Sequence, residues 1–336
     1  MSALIEPAAR PRRAVPVRIR LLAIALLPTL VVLPLLLGIT MVRWNGKFDA
    51  LLQSKVQGDL TIARQYLARI LETTGDRVEA LGLSALFQSL QTEDRAEMLV
   101  ELLDERRKVL GLDFLYVLDK SGDVAASAMP LAATRPRADW PVIAAAFEGG
   151  SRTAVDIFSP AELAAISPML AERARIELVP TPNAAPSALS EETQGMVVHT
   201  AVGMRLPDGR TVVLVGGILL NQNLVFIDTI NDLVYRAGSL PEGSVGTATL
   251  FLDDVRISTN VRLFEGRRAL GTRVSNAVRT AVLQDGRIWL GSAFVVNDWY
   301  MSAYEPITDS FGRRMPASRA TRCTTSPCTF WRDFWW

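Results

Sequence analysis

Few side chains in this chain could do covalent or metal chemistry. His199 is the only histidine, and both cysteines, Cys323 and Cys328, stand close to the C-terminus. One histidine and a cysteine-free body cannot furnish a typical zinc centre, and Cys323-x4-Cys328 alone is a weak signal. A Ser-His-acid triad could be built only on His199, and no G-x-S-x-G elbow accompanies it. His199 lies in a β-prone run and is followed by Thr200-Ala201, whereas a phosphoacceptor histidine sits on a helix beside an acidic residue. Val215-Gly216-Gly217-Ile218 reads as a bulge or close-packing point of a strand rather than a phosphate loop. Catalysis and cofactors are therefore not expected of this chain. Binding remains, and arginine is the abundant donor for it: 32 Arg stand against 4 Lys.

The 336 residues are 49% hydrophobic and 7% aromatic, which excludes disorder and allows two globular units at most. The net charge of +1 argues against a dedicated nucleic-acid binder. That sum conceals blocks, because residues 1–20 carry +4, residues 21–42 carry nothing, and residues 313–336 carry +4, leaving −7 on 43–312.

Leu21 to Val42 is an unbroken uncharged run that includes Pro28 and Pro34. As a helix rising about 1.5 Å per residue it would reach roughly 33 Å, enough for a hydrocarbon core of about 30 Å. The run ends in Met41-Val42-Arg43-Trp44 without a small-residue cleavage site, so it is predicted to stay as a transmembrane anchor. The preceding arginines place residues 1–20 in the cytoplasm and the body beyond the membrane.

From Trp44 to about Gly82, apolar residues at three- and four-residue spacing predict a stalk helix, and a second helix is expected over 93–110 with Thr92 as its cap and Gly111 as its stop. The period then changes. Phe114–Leu118 and Val124–Ser127 read as a hairpin, Trp140–Phe147 as a short helix capped by Asp139, and Thr153–Phe158 as a strand. Ser159-Pro160-Ala161-Glu162 is a capping box that opens a helix to about Arg175, interrupted at Pro168. A loop over Pro180–Gly195, two long strands (Met196–Leu206 and Thr211–Leu219) and a helix from about Gln222 to Arg236 follow. The order then repeats in strands at Thr247–Leu252 and Val255–Thr259, a helix over Ser275–Gln284, and strands at Ile288–Val296 and Trp299–Tyr304. One stalk thus leads into two copies of one module.

The segments Val245–Asn260, Arg267–Thr272, Gly291–Asn297 and Trp299–Ile307 resemble a Cache domain, a PAS-like extracytoplasmic sensor module of bacterial receptors. The second copy carries the resemblance closely; the first does so in the order of its elements. The whole resembles a double Cache input region, most like that of a sensor histidine kinase, with the input region of a chemoreceptor or diguanylate cyclase as the alternative. The fold class expected is α+β: an N-terminal transmembrane helix, a stalk over 43–110, then two modules with antiparallel sheets, membrane-distal at 111–225 and membrane-proximal at 226–312. The resemblance leads one to expect a further strand, a second span and an output domain after Gly312. Residues 313–336, basic and Trp-rich, show no strand alternation and are expected to be an aberrant tail of a chain truncated before its output domain.

In PAS-like modules the pocket lies between the sheet and the segment that crosses it, so the resemblance nominates ligand-binding residues in both copies. In the distal module these are Tyr116, Ser127, Arg135, Arg137 and Trp140, with an arginine to clamp a carboxylate and aromatic walls. In the proximal module they are Arg256, Thr259, Asn260, Arg268 and Thr272, as pocket lining or as structural ties that hold turns to the backbone. The expected partners are a small molecule, for which an anion suits these donors, the bacterial inner membrane, and a second copy paired along the stalk. A self-contained anchored binding or scaffold protein is the competing reading, and an exported hydrolase has only His199 behind it.

Overall fold

The computed structural model describes residues 17–132, 139–235, 245–263, 266–296 and 298–322, and the side chains of 314–322 lie outside what is described. The chain divides into two bodies, Met1–Leu52 and Gln53–Trp336. Helix α1 runs from Val17 to Gly82. Among the described residues no helix is long and apolar enough to cross a membrane. The side chains of Ala23, Ile24, Ala25 and Leu27, inside the expected span, lie outside the described residues.

In the second body α1 is followed by α2 (Ala85–Ser89) and α3 (Ala96–Leu110), which ends on Gly111 at φ 68°. Thr92 is not the cap of α3. Its carbonyl accepts from Arg95 N at 3.0 Å within a 3-10 turn over Glu93–Arg95, so the helix starts one turn late. Strands β1 (Phe114–Leu118) and β2 (Val124–Ser127) form the expected hairpin. Pro141 occupies the first position of α4 (Pro141–Phe147), which puts Trp140 in the cap position and leaves Asp139 one residue too early. After β3 (Ser151–Phe158), the capping box of Ser159 and Glu162 is made as anticipated, and Pro168 divides α5 (Pro160–Ile166) from α6 (Pro168–Ala174). Within the expected loop, β5 (Glu191–Glu192) forms a short ladder with β4 (Ile176–Glu177), which precedes the loop. Then come β6 (Gly195–Arg205), β7 (Thr211–Leu219) and α7 (Leu224–Val234), capped by Asn223.

The first sheet has the order β2-β1-β7-β6-β3, antiparallel throughout. It is covered on both faces. Leu115, Val117 and Leu214 meet Leu99, Leu102 and Leu103 of α3, while Phe114, Tyr116, Val213 and Val215 meet Ile143, Leu163 and Leu170 of α4 to α6. Double burial explains why β1 reads as an unbroken apolar run, with all five residues buried. Gly217 is a packing requirement, since a Cβ there would lie 2.4 Å from the Phe114 ring.

The second sheet contains β8 (Val245–Leu252), β9 (Val255–Thr259), β10 (Trp289–Val295), β11 (Asp298–Thr308) and β12 (Arg314–Arg322). Its order, β9-β8-β12-β11-β10, repeats that of the first sheet strand for strand. Between β9 and β10, Ser275 caps α8 (Asn276–Arg279), which continues as a π turn over Thr280–Gln284. Strand β12 corrects the sequence reading, because the sheet extends to 322 rather than stopping at 312. Backbone pairing with β11 on one side and β8 on the other sets this strand, and main-chain hydrogen bonds do not require side-chain alternation. Residues 323–336, with both cysteines, lie outside the described residues.

The apolar stripe of α1 also departs from expectation. Val56 and Leu60 are 1% and 3% exposed and cluster with Ala303, while Tyr66, Leu67, Ile70 and Leu71 pack on the core formed by Ile227, Ala248 and Leu250. The chain's own second sheet and α7 therefore cover the 56–71 part of the stripe expected to pair two copies.

Candidate functional site

Of the residues nominated in the first module, Tyr116 and Trp140 share one core cluster, and Ser127 stands across the strand pair from Tyr116. Tyr116 is buried and stacks on Phe114 at 5.9 Å, and burial pushes its phenol up from the ordinary value. Ser127 borders a separate cleft of about 400 Å³ with Val100 and Leu131, and its hydroxyl accepts from Met129 N at 3.3 Å. Trp140 packs on Phe158 at 4.5 Å, on His199 at 5.4 Å and on Phe311 at 5.5 Å, so it belongs to a closed aromatic cluster. Arg135 and Arg137 lie outside the described residues.

His199 is the centre of that cluster, with Phe114, Trp140 and Phe158 around its ring. Its Nδ1 lies 3.0 Å from Asp156 Oδ2, both side chains are almost fully buried, and Nε2 has no partner. Asp156 Oδ1 accepts from the backbone N of Ser310 at 3.1 Å and from its hydroxyl. A hydrolytic triad needs the imidazole between hydroxyl and carboxylate. Here the carboxylate stands in the middle and the serine donates to it, so no nucleophile is activated. The sequence signal for this group is an acid, Asp156, between Val155 and Ile157 in the C-terminal half of β3.

The second module brings its nominated residues closer together, in two sets. Thr259 and Asn260 act as ties: the Thr259 hydroxyl bonds Thr249 at 2.7 Å, and Asn260 Oδ1 accepts from Ala248 N at 2.7 Å. Arg268 clamps Asp228 of α7 at 2.7 and 2.6 Å and donates to the Thr259 carbonyl at 2.9 Å. Asn260, Arg268 and Tyr300 border a cleft of about 550 Å³ with Asp228 and Asn231. The other set is Arg256 and Thr272. Strand β9 turns Arg256 inward beside its cross-strand partner Phe251, whose ring lies 5.1 Å from the guanidinium carbon. One guanidinium N–H donates to Thr272 Oγ1 at 2.6 Å, and Thr272 donates on to the Ala269 carbonyl.

No carboxylate pairs with Arg256 among the described residues, and its Nε is buried without a partner. Burial lowers its pKa to about 10, with Tyr304 and Tyr300 pulling it back up. Trp289, packed on the same cluster of Phe251, Val278 and Tyr304, also has a buried Nε1 without a partner. An arginine with an unmet donor and an orphaned indole N–H thus border one aromatic core, between the sheet and the segment crossing it. Such groups are costly to bury unpaired and can be satisfied by an anion.

A comparison against protein families matches the part of the chain that holds the second module. Residues 218–318 match the model described as single Cache domain 3, and this part of the chain fits a Cache sensor region. Solved structures similar in fold include the periplasmic domain of Vibrio cholerae LuxQ, at 12% identity, covering 83% of this chain and 99% of that one, with a TM-score of 0.37. The V. cholerae histidine kinase DctB sensor domain gives 12% identity, 83% and 100% coverage and a TM-score of 0.40. The sensory domain of the Campylobacter jejuni chemoreceptor Tlp3 with isoleucine bound gives 13%, 84% and 95%, and 0.37. No curated protein matches the chain.

Proposed function

We propose that this chain is the ligand-sensing input region of a membrane receptor, and that its second module binds a small anionic molecule at Arg256. The observation that carries this reading is the buried Arg256 guanidinium with no carboxylate partner among the described residues. A bound carboxylate would supply the missing counter-charge, with Trp289 Nε1 and the hydroxyl of Thr272 beside it. The region is read as a double Cache input, a reading supported by the shared strand order of its two sheets. Residues 21–42 anchor it, a reading supported by their lack of charge and by exposed side chains such as Leu30, Leu33 and Val42. The body then lies in the periplasm and the parent receptor ends in a histidine kinase, as the resemblance implies, with two copies pairing through positions of α1 left exposed, such as Ile62. A ligand acts on the packing of the module only as far as it prefers one packing over another.

The test is a thermal-shift series on the full chain with small carboxylates, phosphate and amino acids, run in parallel on Arg256→Met. At least one anion should raise the melting temperature of the wild type and leave the variant unmoved. A panel that shifts neither protein, or shifts both alike, removes the anion-binding reading.

A further inference from the structure

On the other face of the second sheet, α1, α7, β8 and β11 line a half-open cavity of about 440 Å³. Leu60, Leu67, Phe226, Ile230, Leu250 and Ile307 supply apolar walls, and the charged groups lining it are Arg64 and Glu305. These two pair: Arg64 Nε lies 3.2 Å from each carboxylate oxygen, and a second guanidinium nitrogen donates to Oε2. The partners are unequally held. The Arg64 side chain is 58% exposed and the Glu305 side chain 13%. The carboxylate is therefore the fixed group of the site, and the arginine is a solvent-facing arm whose ion pair is easily exchanged.

We propose that this cavity is a second ligand site, specific for a small apolar amine. The ammonium group would replace Arg64 on Glu305 while the apolar body fills the space between α1 and the sheet. A carboxylate of the same size would be refused, since it would lie against Glu305 with no other cation lining the cavity. The size is within the range of small-molecule pockets. A ligand here separates or tightens α1 against the second sheet, so the site acts on the helix that the proposed signal must use. It does not depend on Arg256, which lies on the opposite face of β8 and β9.

The test is titration calorimetry of the full chain in mild detergent with 2-phenylethylamine, 2-phenylethanol and 3-phenylpropionate, each against a detergent blank. The amine should bind with one site per chain, and the carboxylate at least about 10-fold more weakly. Ala63→Phe, which projects a ring into the cavity from α1, should abolish binding, and Glu305→Gln should cost the amine about 10-fold. Arg64→Ser, on an exposed helix position, should raise amine affinity by removing the competing cation. Absence of amine binding by the folded wild type, preference for the carboxylate, or weaker amine binding by Arg64→Ser would each overturn the proposal.

Discussion

At the residue scale Arg256 is the informative position, because its energetics and its proposed role oppose each other. A guanidinium buried against Phe251, with a hydrogen bond to Thr272 and no carboxylate partner among the described residues, costs the ligand-free protein stability. Arg256→Met, of similar volume and without charge, should raise the ligand-free melting temperature by about 2–4 °C while abolishing the anion response. The pH dependence has a definite sign. Burial holds the folded-state pKa near 10, below the ordinary arginine value, so on raising the pH the folded state releases the proton first. The unfolded state then binds more protons, and stability attributable to this residue rises with pH. The advantage of Arg256→Met, measured by denaturant unfolding from pH 8 to 11, should therefore shrink above pH 10. An advantage that grows with alkalinity would contradict the assignment of burial as the cause.

At the scale of elements, β12 decides whether the second module exists. It sits between β11 and β8, paired over Thr308↔Arg314 to Met301↔Thr321 on one side and Leu250↔Ala317 to Val245↔Arg322 on the other. A chain ended after Gly312 leaves two unpaired edges inside the sheet. At a net worth of about 1 kcal/mol per backbone hydrogen bond, the lost ladders rival the whole stability of a domain, roughly 5–15 kcal/mol. Such a chain should lose protease protection over 245–308, whereas one ended after Arg322 should keep it. The strand was hard to read because strand patterns are recognised from faces, and β12 is placed by the backbone needs of its neighbours. The capping box at Ser159 and the hairpin at Phe114–Ser127 were readable for the opposite reason: each is settled by contacts within a few residues.

At the scale of the whole second body, the two modules are tied at a buried polar junction. Asp156 of β3 holds His199 on one oxygen and Ser310, in the turn between β11 and β12, on the other. Arg152 of the same strand donates to the Ser310 carbonyl at 3.3 Å, and Phe311 packs on Trp140. Asp156→Ala strands the buried imidazole and frees the turn, a loss of about 1–3 kcal/mol for the unpaired group alone. The expected outcome is that the single unfolding transition splits in two, with the second module melting first. Ser310→Ala, which keeps the backbone N–H contact, should cost about 1 kcal/mol and leave one transition. A single, unshifted transition in Asp156→Ala would show that this junction does not couple the modules.

The sequence by itself determined what depends on local order: the helix and strand alternation, the repeat of one module, most element ends, and the second copy's likeness to a Cache domain. The likeness rests on the family-like segments themselves; the other features follow from residue periodicity, turn chemistry and caps, which act between near neighbours in the chain. The site was only partly legible. Arg256 and Thr272 could be named because they stand in the family-like segment. That Arg256 is unpaired and that Thr259 and Asn260 are ties depends on which distant groups reach them. His199 looked like a solitary residue until β3 brought Asp156 beside it, and the apolar stripe of α1 looked like a surface for a second copy until the chain's own second sheet and α7 were found to cover the 56–71 part of it. Only the tertiary structure decided these, because burial and charge pairing are properties of the folded neighbourhood, assembled from residues tens to hundreds of positions apart.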